Sequence, residues 1–221
     1  MLTVFENAVT TQEIAELQQQ FAELKATVEF SDAYRITNPD EIRELYNSNL
    51  ESLPQQERVV VNSYPVADLV RSIVNRILPK PLKTSIPIMF SRSVYPIGIH
   101  TDTDEKNFKG HTIMIPLTFD SRIRTLVWKE TAIAQQGLNA IFQRFQTDIK
   151  SFQPQPRISN KLDLRNCWMG QPSIVDFLQL DGMAEWRAGS IFKFSRQQLH
   201  GSNNYREFVD HKDYVLIHND E

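Results

Sequence analysis

The chain has 221 residues, and its 24 basic and 27 acidic residues give a net charge of -3 at pH 7. This length suits a single domain, residues 1–221, with a core large enough to hold a catalytic site. Charges of one sign form no long run, so neither nucleic acid nor an anionic membrane is an expected partner. One cysteine, Cys167, excludes an internal disulfide framework. No apolar stretch approaches the ~20 residues that span a bilayer and no secretory signal is evident, so we expect a cytoplasmic protein.

The first 82 residues are predicted to be mainly helical support for the rest of the chain. Thr10 to Glu13 has the form of a capping box, and apolar residues then recur at helical spacing to about Ala26. Asn38 and Pro39 predict the start of a shorter second helix. A third helix is expected to begin near Pro65 and to stop before the prolines that follow residue 78.

From residue 85 the pattern changes to short β-branched and aromatic runs. They predict strands at 85–99, 111–119, 123–129, 189–195 and 213–218. These strands form a β core over residues 83–221, with an insertion at about 130–186. An apolar helical stripe at 131–152 is most simply core packing, with a lid or a dimer surface as the alternative. The irregular segment 153–188 is expected to wall a substrate pocket, with the candidate contacts Trp128, Trp168, Trp186 and Arg187.

The tripeptide His-x-Asp occurs three times, at His100 to Asp102, His211 to Asp213 and His218 to Asp220. Strand-like runs flank the first copy, whereas the other two lie near the chain end. His200 follows another apolar run and could complete a site with His100 and Asp102. Two imidazoles and one carboxylate bind one face of Fe(II) and leave the opposite positions open. His111 and Asp104 are the alternative ligands in this region.

The ordered motifs Tyr95-x-x-Gly98-x-His100-x-Asp102, Ala188 to Phe194 and Leu199-His200-Gly201-Ser202-x-Asn204 resemble the iron(II)- and 2-oxoglutarate-dependent dioxygenases. The similarity is greatest to the phytanoyl-CoA dioxygenase-like and prolyl hydroxylase-like branches and covers roughly residues 85–220. It implies a mainly β protein with flanking helices. The expected core is a double-stranded β-helix, which is a jelly-roll or cupin-like barrel, with an N-terminal helical layer. By matching position, His100, Asp102 and His200 would be the metal ligands and the catalytic centre.

The resemblance also implies Fe(II), O2 and 2-oxoglutarate as co-substrate. The implied reaction is hydroxylation, or less often desaturation, of a small-molecule or carrier-bound substrate at an unactivated C–H bond, with release of succinate and CO2. In this family a basic residue after the distal histidine pairs with the far carboxylate of 2-oxoglutarate. Lys212 is preferred here for its spacing and strand position, with Arg206 and Arg92 as alternatives. Tyr95 is a candidate hydroxyl donor to the same co-substrate.

Two other functions are compatible with the sequence. One is a metal-binding cupin-like barrel that performs no oxidation, such as an isomerase or a small-molecule binding module. Cupins usually carry His-x-His followed by a glutamate, and this chain lacks that pattern. The other is an interaction protein in which the histidines are structural and the helix at 131–152 docks a partner.

Overall fold

A computed structural model describes residues 1–27, 57–93, 100–103, 109–131, 178–203, 205 and 208–220. Within these ranges two helices and nine strands form. The helices are α1 (Thr11–Thr27) and α2 (Val66–Asn75). The strands are β1 (Thr3–Phe5), β2 (Glu57–Val60), β3 (Ile88–Ser93), β4 (His111–Pro116), β5 (Asp120–Thr131), β6 (Leu180–Trp186), β7 (Ile191–Ser195), β8 (Gln198–Ser202) and β9 (Lys212–Asn219). The second predicted helix, residues 132–152 of the helical stripe, Cys167 and Trp168 lie outside the described residues.

The strands form two antiparallel sheets with an apolar layer between them. The larger sheet has the order β1-β7-β4-β9-β3-β2, and the smaller has the order β6-β5-β8. An isolated bridge between His100 and His200 continues the smaller sheet beyond β8. Trp186 of the smaller sheet packs edge-on against Phe192 and Tyr214 of the larger sheet. This arrangement is a jelly roll with helices on one side, as the sequence predicts.

The two helices cover the outer face of the larger sheet. The predicted capping box at the start of α1 is present, because the Thr10 amide donates to Glu13 Oε2 at 2.8 Å and the Glu13 amide donates to Thr10 Oγ1 at 3.2 Å. Phe21 of α1 then stacks on Phe90 of β3 with ring centroids 5.5 Å apart. Side chains alternate along a strand, so the residues between those in contact with the helices point toward the smaller sheet.

Three features differ from the prediction. Strands β1 and β2, which the sequence does not predict, lie within the first 82 residues together with the two helices. Residues 180–186 were assigned to the insertion but form β6, which pairs with β5. Strand β8 is also absent from the predicted strands, and its Gly201 lies opposite Leu126 of β5. Asn203 ends that strand, and its side chain accepts the Arg124 amide proton at 2.8 Å.

Candidate metal centre

The structure brings His100, Asp102 and His200 together across the interval of a hundred residues. Ligand atoms of all three lie within 4.8 Å of one another. Asp102 Oδ1 is 3.6 Å from His100 Nε2 and 3.5 Å from His200 Nε2. Two imidazole nitrogens and one carboxylate oxygen therefore converge on a volume that suits a single cation.

The backbone holds the two histidines in register. The His100 amide donates to the His200 carbonyl at 2.9 Å, and the His200 amide donates back to the His100 carbonyl at 2.9 Å. The Asp102 amide donates to the Arg196 carbonyl at 2.9 Å, and Arg196 Nη2 returns a hydrogen bond to the Asp102 carbonyl at 2.9 Å. Pairing between distant strands thus fixes the spacing of the three side chains.

The Gln198 carbonyl orients the ring of His200. His200 Nδ1 donates to that carbonyl at 2.9 Å, so Nε2 is the ring atom that faces Asp102 and that would bind a metal after losing its proton. The side chain of His200 is only 7% exposed, whereas that of His100 is 38% exposed. The centre therefore opens to solvent on the His100 side.

Asp102 presents its two oxygens to different partners. Oδ1 faces the two histidines, and Oδ2 accepts a short hydrogen bond from the Thr112 hydroxyl. His218 Nε2 lies 3.7 Å from the same Oδ2. Burial alone would raise the pKa of Asp102, but the charge of His200 and hydrogen bonds from His100 and His200 outweigh it and hold that pKa well below its usual range. Asp102 is therefore a carboxylate ready to bind a cation.

Lys212 lies in the same cleft, at the start of β9. Its Nζ donates to Ser202 Oγ at 2.5 Å and lies 4.5 Å from the ring centre of Trp186 and 4.8 Å from that of Tyr205. The side chain is buried, and burial lowers the pKa of Lys212 to about 7. The amine is thus poised between its charged and neutral forms near neutral pH.

One cleft joins the metal centre to Lys212. Met114 and Leu216 contribute its apolar wall. Polar lining comes from Thr125, Ser202, Tyr214 and Arg58, the last of which the sequence did not single out. His218 belongs to the third His-x-Asp tripeptide, to which the sequence analysis gives no role, and burial lowers its pKa to about 4. The two-residue period of β9 could have indicated that His218 lies on the same face of the strand as Lys212.

The other candidate residues either do not line the cleft or fall outside the described residues. Arg92 cannot reach the cleft, because it forms a two-pronged ion pair with Asp213 at 2.6 Å and lies over the Phe21 ring toward the helices. The aromatic residues Trp128 and Trp186 are fully buried in the core and do not line the cleft, and Arg187 is an exposed partner of Glu185. The alternative ligand His111 begins β4 and is not part of the ligand cluster. Tyr95, Asp104 and Arg206 lie outside the described residues.

Comparison with solved structures identifies the fold. The epimerase SnoN from nogalamycin biosynthesis, in complex with Fe3+, alpha ketoglutarate and nogalamycin RO, matches with a TM-score of 0.52 and 11% identity over 99% of this chain and 78% of that one. HygX from Streptomyces hygroscopicus, with nickel and 2-oxoglutarate bound, matches with a TM-score of 0.53 and 9% identity over 99% and 82%. A Trichoplax adhaerens prolyl hydroxylase bound to a hypoxia inducible factor peptide matches with a TM-score of 0.51 and 10% identity over 99% and 83%.

A scan of protein-family models finds no match, and a search of curated protein sequences also finds none. Within the described part of the chain, neither helix is both long and apolar enough to cross a membrane. At identities of 9 to 11% the structural matches establish the fold. The chain has a double-stranded β-helix fold, which it shares with SnoN, HygX and the Trichoplax prolyl hydroxylase.

Proposed function

We propose that this protein is an Fe(II)- and 2-oxoglutarate-dependent oxygenase that hydroxylates an unactivated C–H bond of a small-molecule or carrier-bound substrate. The observation that carries the proposal is the convergence of His100, Asp102 and His200, with their ligand atoms within 4.8 Å of one another. A set of two histidines and one carboxylate leaves coordination positions open for co-substrate and dioxygen.

The three residues fit such an ion in charge as well as in geometry. The Gln198 carbonyl holds the proton of His200 on Nδ1, and Thr112 holds Asp102 by its outer oxygen. Both arrangements leave the inner atoms available to a metal, as outer partners do in metalloproteins. Bound iron would supply the activation of dioxygen that accompanies oxidative decarboxylation of 2-oxoglutarate to succinate and CO2.

Lys212 is the proposed partner of the far carboxylate of 2-oxoglutarate. It donates to Ser202, which lies two residues beyond His200 on the same face of β8. Two residues along a strand cover about 7 Å, which matches the length of a five-carbon dicarboxylate held by the metal at one end. Binding the anion would also favour the charged form of a buried amine. Arg206 is the runner-up, and Tyr95 is retained as a proposed hydroxyl donor.

The rest of the cleft would orient the co-substrate and exclude water. Tyr214 shares a hydrogen bond with Ser93 at 3.0 Å, which fixes its ring beside Lys212. Met114 and Leu216 line the cleft with apolar surface, which disfavours bulk water.

An anaerobic titration tests the proposal. Fe(II) is added to the metal-free protein, then 2-oxoglutarate, and the visible charge-transfer band expected for chelated 2-oxoglutarate is recorded. The band should appear in the wild type and be lost in His100→Ala, while circular dichroism shows that this variant folds. Iron binding without the band would favour the non-oxidising barrel, and absence of iron binding would refute the metal centre.

Product analysis then tests the reaction type. The structural neighbours include an epimerase and a carbocyclase as well as hydroxylases, so the fold is compatible with more than one outcome. Hydroxylation predicts a product that gains one oxygen atom from O2 for each succinate released. Succinate release with a product of unchanged oxygen content would contradict the hydroxylase assignment and leave 2-oxoglutarate dependence in place.

A further inference from the structure

A second cation, Arg58, lines the cleft from the edge of the larger sheet. Arg58 in β2 pairs with Ser91 in β3, and Ser91 pairs in turn with Tyr214 in β9. Residues directly opposite each other in a sheet share a face. The guanidinium therefore enters the cleft from the same inner face as Tyr214 and Lys212, but two strands away from Lys212.

The two cations share one neighbour, Tyr214, but differ in the others. The charge of Lys212 acts on His200, and its amine donates to Ser202 of the smaller sheet. The charge of Arg58 acts on His218 and on Tyr214, whose ring centre also lies 5.9 Å from Lys212 Nζ. One dicarboxylate co-substrate has one carboxylate for the metal and one for Lys212. It therefore leaves Arg58 without an assigned partner.

Arg58 also has no counter-ion in the part of the chain that the structure describes. Its Nε is buried and has no hydrogen-bond partner there. Asp102 is the acidic residue among those lining the cleft, and both of its oxygens are already engaged by the histidines and Thr112. A guanidinium that is partly removed from water and unpaired gains most from an oxyanion, which it can bind with two parallel hydrogen bonds.

We propose that Arg58 binds an oxyanion, either carboxylate or phosphate, on the primary substrate and so selects acidic small molecules. This inference rests on the proposed function for the identity of the co-substrate, while the anion site itself depends only on Arg58 and the cleft. Arg58 would hold the substrate from the larger sheet, with the metal centre on the smaller sheet across the cleft.

Binding of small anion probes tests the inference without turnover. Protein loaded with Zn(II) and saturating 2-oxoglutarate is titrated with inorganic phosphate, followed by phosphorus NMR, and separately with carbon-13-labelled acetate. Wild type should bind at least one probe saturably, and Arg58→Gln should weaken that binding by about tenfold or more. Arg58→Lys keeps the charge but loses the bidentate guanidinium group, so its anion affinity should lie between those of the wild type and Arg58→Gln. Arg187→Gln removes an exposed charge away from the cleft and should bind as the wild type does.

Three results would overturn the inference: unchanged anion binding by a folded Arg58→Gln, no saturable binding of either probe by wild type, or a loss of 2-oxoglutarate affinity in Arg58→Gln. The last would make Arg58 the co-substrate clamp. Repeating the titration on the metal-free Lys212→Met variant separates the two proposals. Anion binding that depends on Arg58 there would support this site even if the iron titration failed.

Discussion

Binding of 2-oxoglutarate to the iron-loaded protein at pH 8 should be accompanied by uptake of about 0.9 proton by Lys212, because burial lowers its pKa to about 7. At pH 8 the amine is about nine-tenths neutral, and a carboxylate beside it favours the charged form. Uptake should fall to about half a proton at pH 7 and to about one-tenth at pH 6. Affinity for 2-oxoglutarate should accordingly weaken by up to about tenfold per pH unit above 7.

Groups packed around the amine do not obscure this signal. Ser202 and Trp186 carry no charge, and burial raises the pKa of Tyr214 to about 12, so that phenol stays neutral throughout. Burial also lowers the pKa of His218 to about 4, so its ring is neutral from pH 6 upward. His200 and Asp102 would be committed to the metal before 2-oxoglutarate is added.

The assay is calorimetric titration of 2-oxoglutarate into the anaerobic Fe(II) protein, in two buffers of different ionisation enthalpy. Lys212→Arg is the matched control, since arginine keeps its proton across this range and should show no linked uptake from this position. Equal apparent enthalpies in both buffers for the wild type at pH 8 would refute either the neutral amine or its role as the clamp. Uptake that persists in Lys212→Arg would assign the proton to another group.

Thr112→Val keeps the shape of the side chain but removes its hydrogen bond to Asp102. Fe(II) affinity should therefore fall about 10- to 100-fold in an anaerobic titration. Thr118→Val, whose hydroxyl accepts a hydrogen bond from the Asp213 amide away from the metal ligands, should leave that affinity unchanged. Phe21→Ala should lower the free energy of unfolding by about 3–5 kcal/mol in urea, because the ring is 4% exposed and stacks on Phe90; a loss below 1 kcal/mol would contradict its place in the core. Gly189→Ala should cost about 1–3 kcal/mol, because φ is +82° and the new Cβ would lie 2.9 Å from the Val9 carbonyl oxygen. Gly182→Ala should cost less, since its nearest contacts are all side-chain atoms of Leu2, with Cδ2 at 3.0 Å, and no backbone atom is among them. The reverse order in thermal unfolding would refute this comparison.

Local signals account for the parts of the fold that the sequence predicted well. The Thr10 and Glu13 pair marks the start of α1 because the capping hydrogen bonds join residues three apart. Strand β9 was recognisable because Tyr214 to Ile217 alternates between two apolar environments and is rich in strand-forming residues. In both cases the information lies within one turn or one strand.

Strands β6 and β8 were missed because their stability comes from their neighbours. Strand β6 contains Asp181 and Gly182, and β8 contains Gln198 and Gly201, all poor strand formers on their own. Strand β5 lies between β6 and β8 and pairs with both, which overrides that weak preference.

Some residues of the candidate site can likewise be predicted from local sequence, and others depend on strand pairing. The spacing of His100 and Asp102 indicates a shared face from the sequence alone, and an apolar run before His200 singled out the third residue. Thr112 and Arg58 could not be found in this way. Their place in the cleft depends on the pairing of β4 with β9 and of β2 with β3, which no short motif encodes.

The bridge between His100 and His200 also bears on how the molecule folds. Its partners are a hundred residues apart, and the β3–β9 pairing joins Arg92 to Asp213, which are separated by 121 residues. Contacts at such separation must overcome the entropy of closing long loops, and domains rich in them typically fold in about milliseconds to seconds. The three ligand side chains consequently meet only after both sheets have paired, so a cation should enter a chain that is already folded and then act as a crosslink between its distant halves.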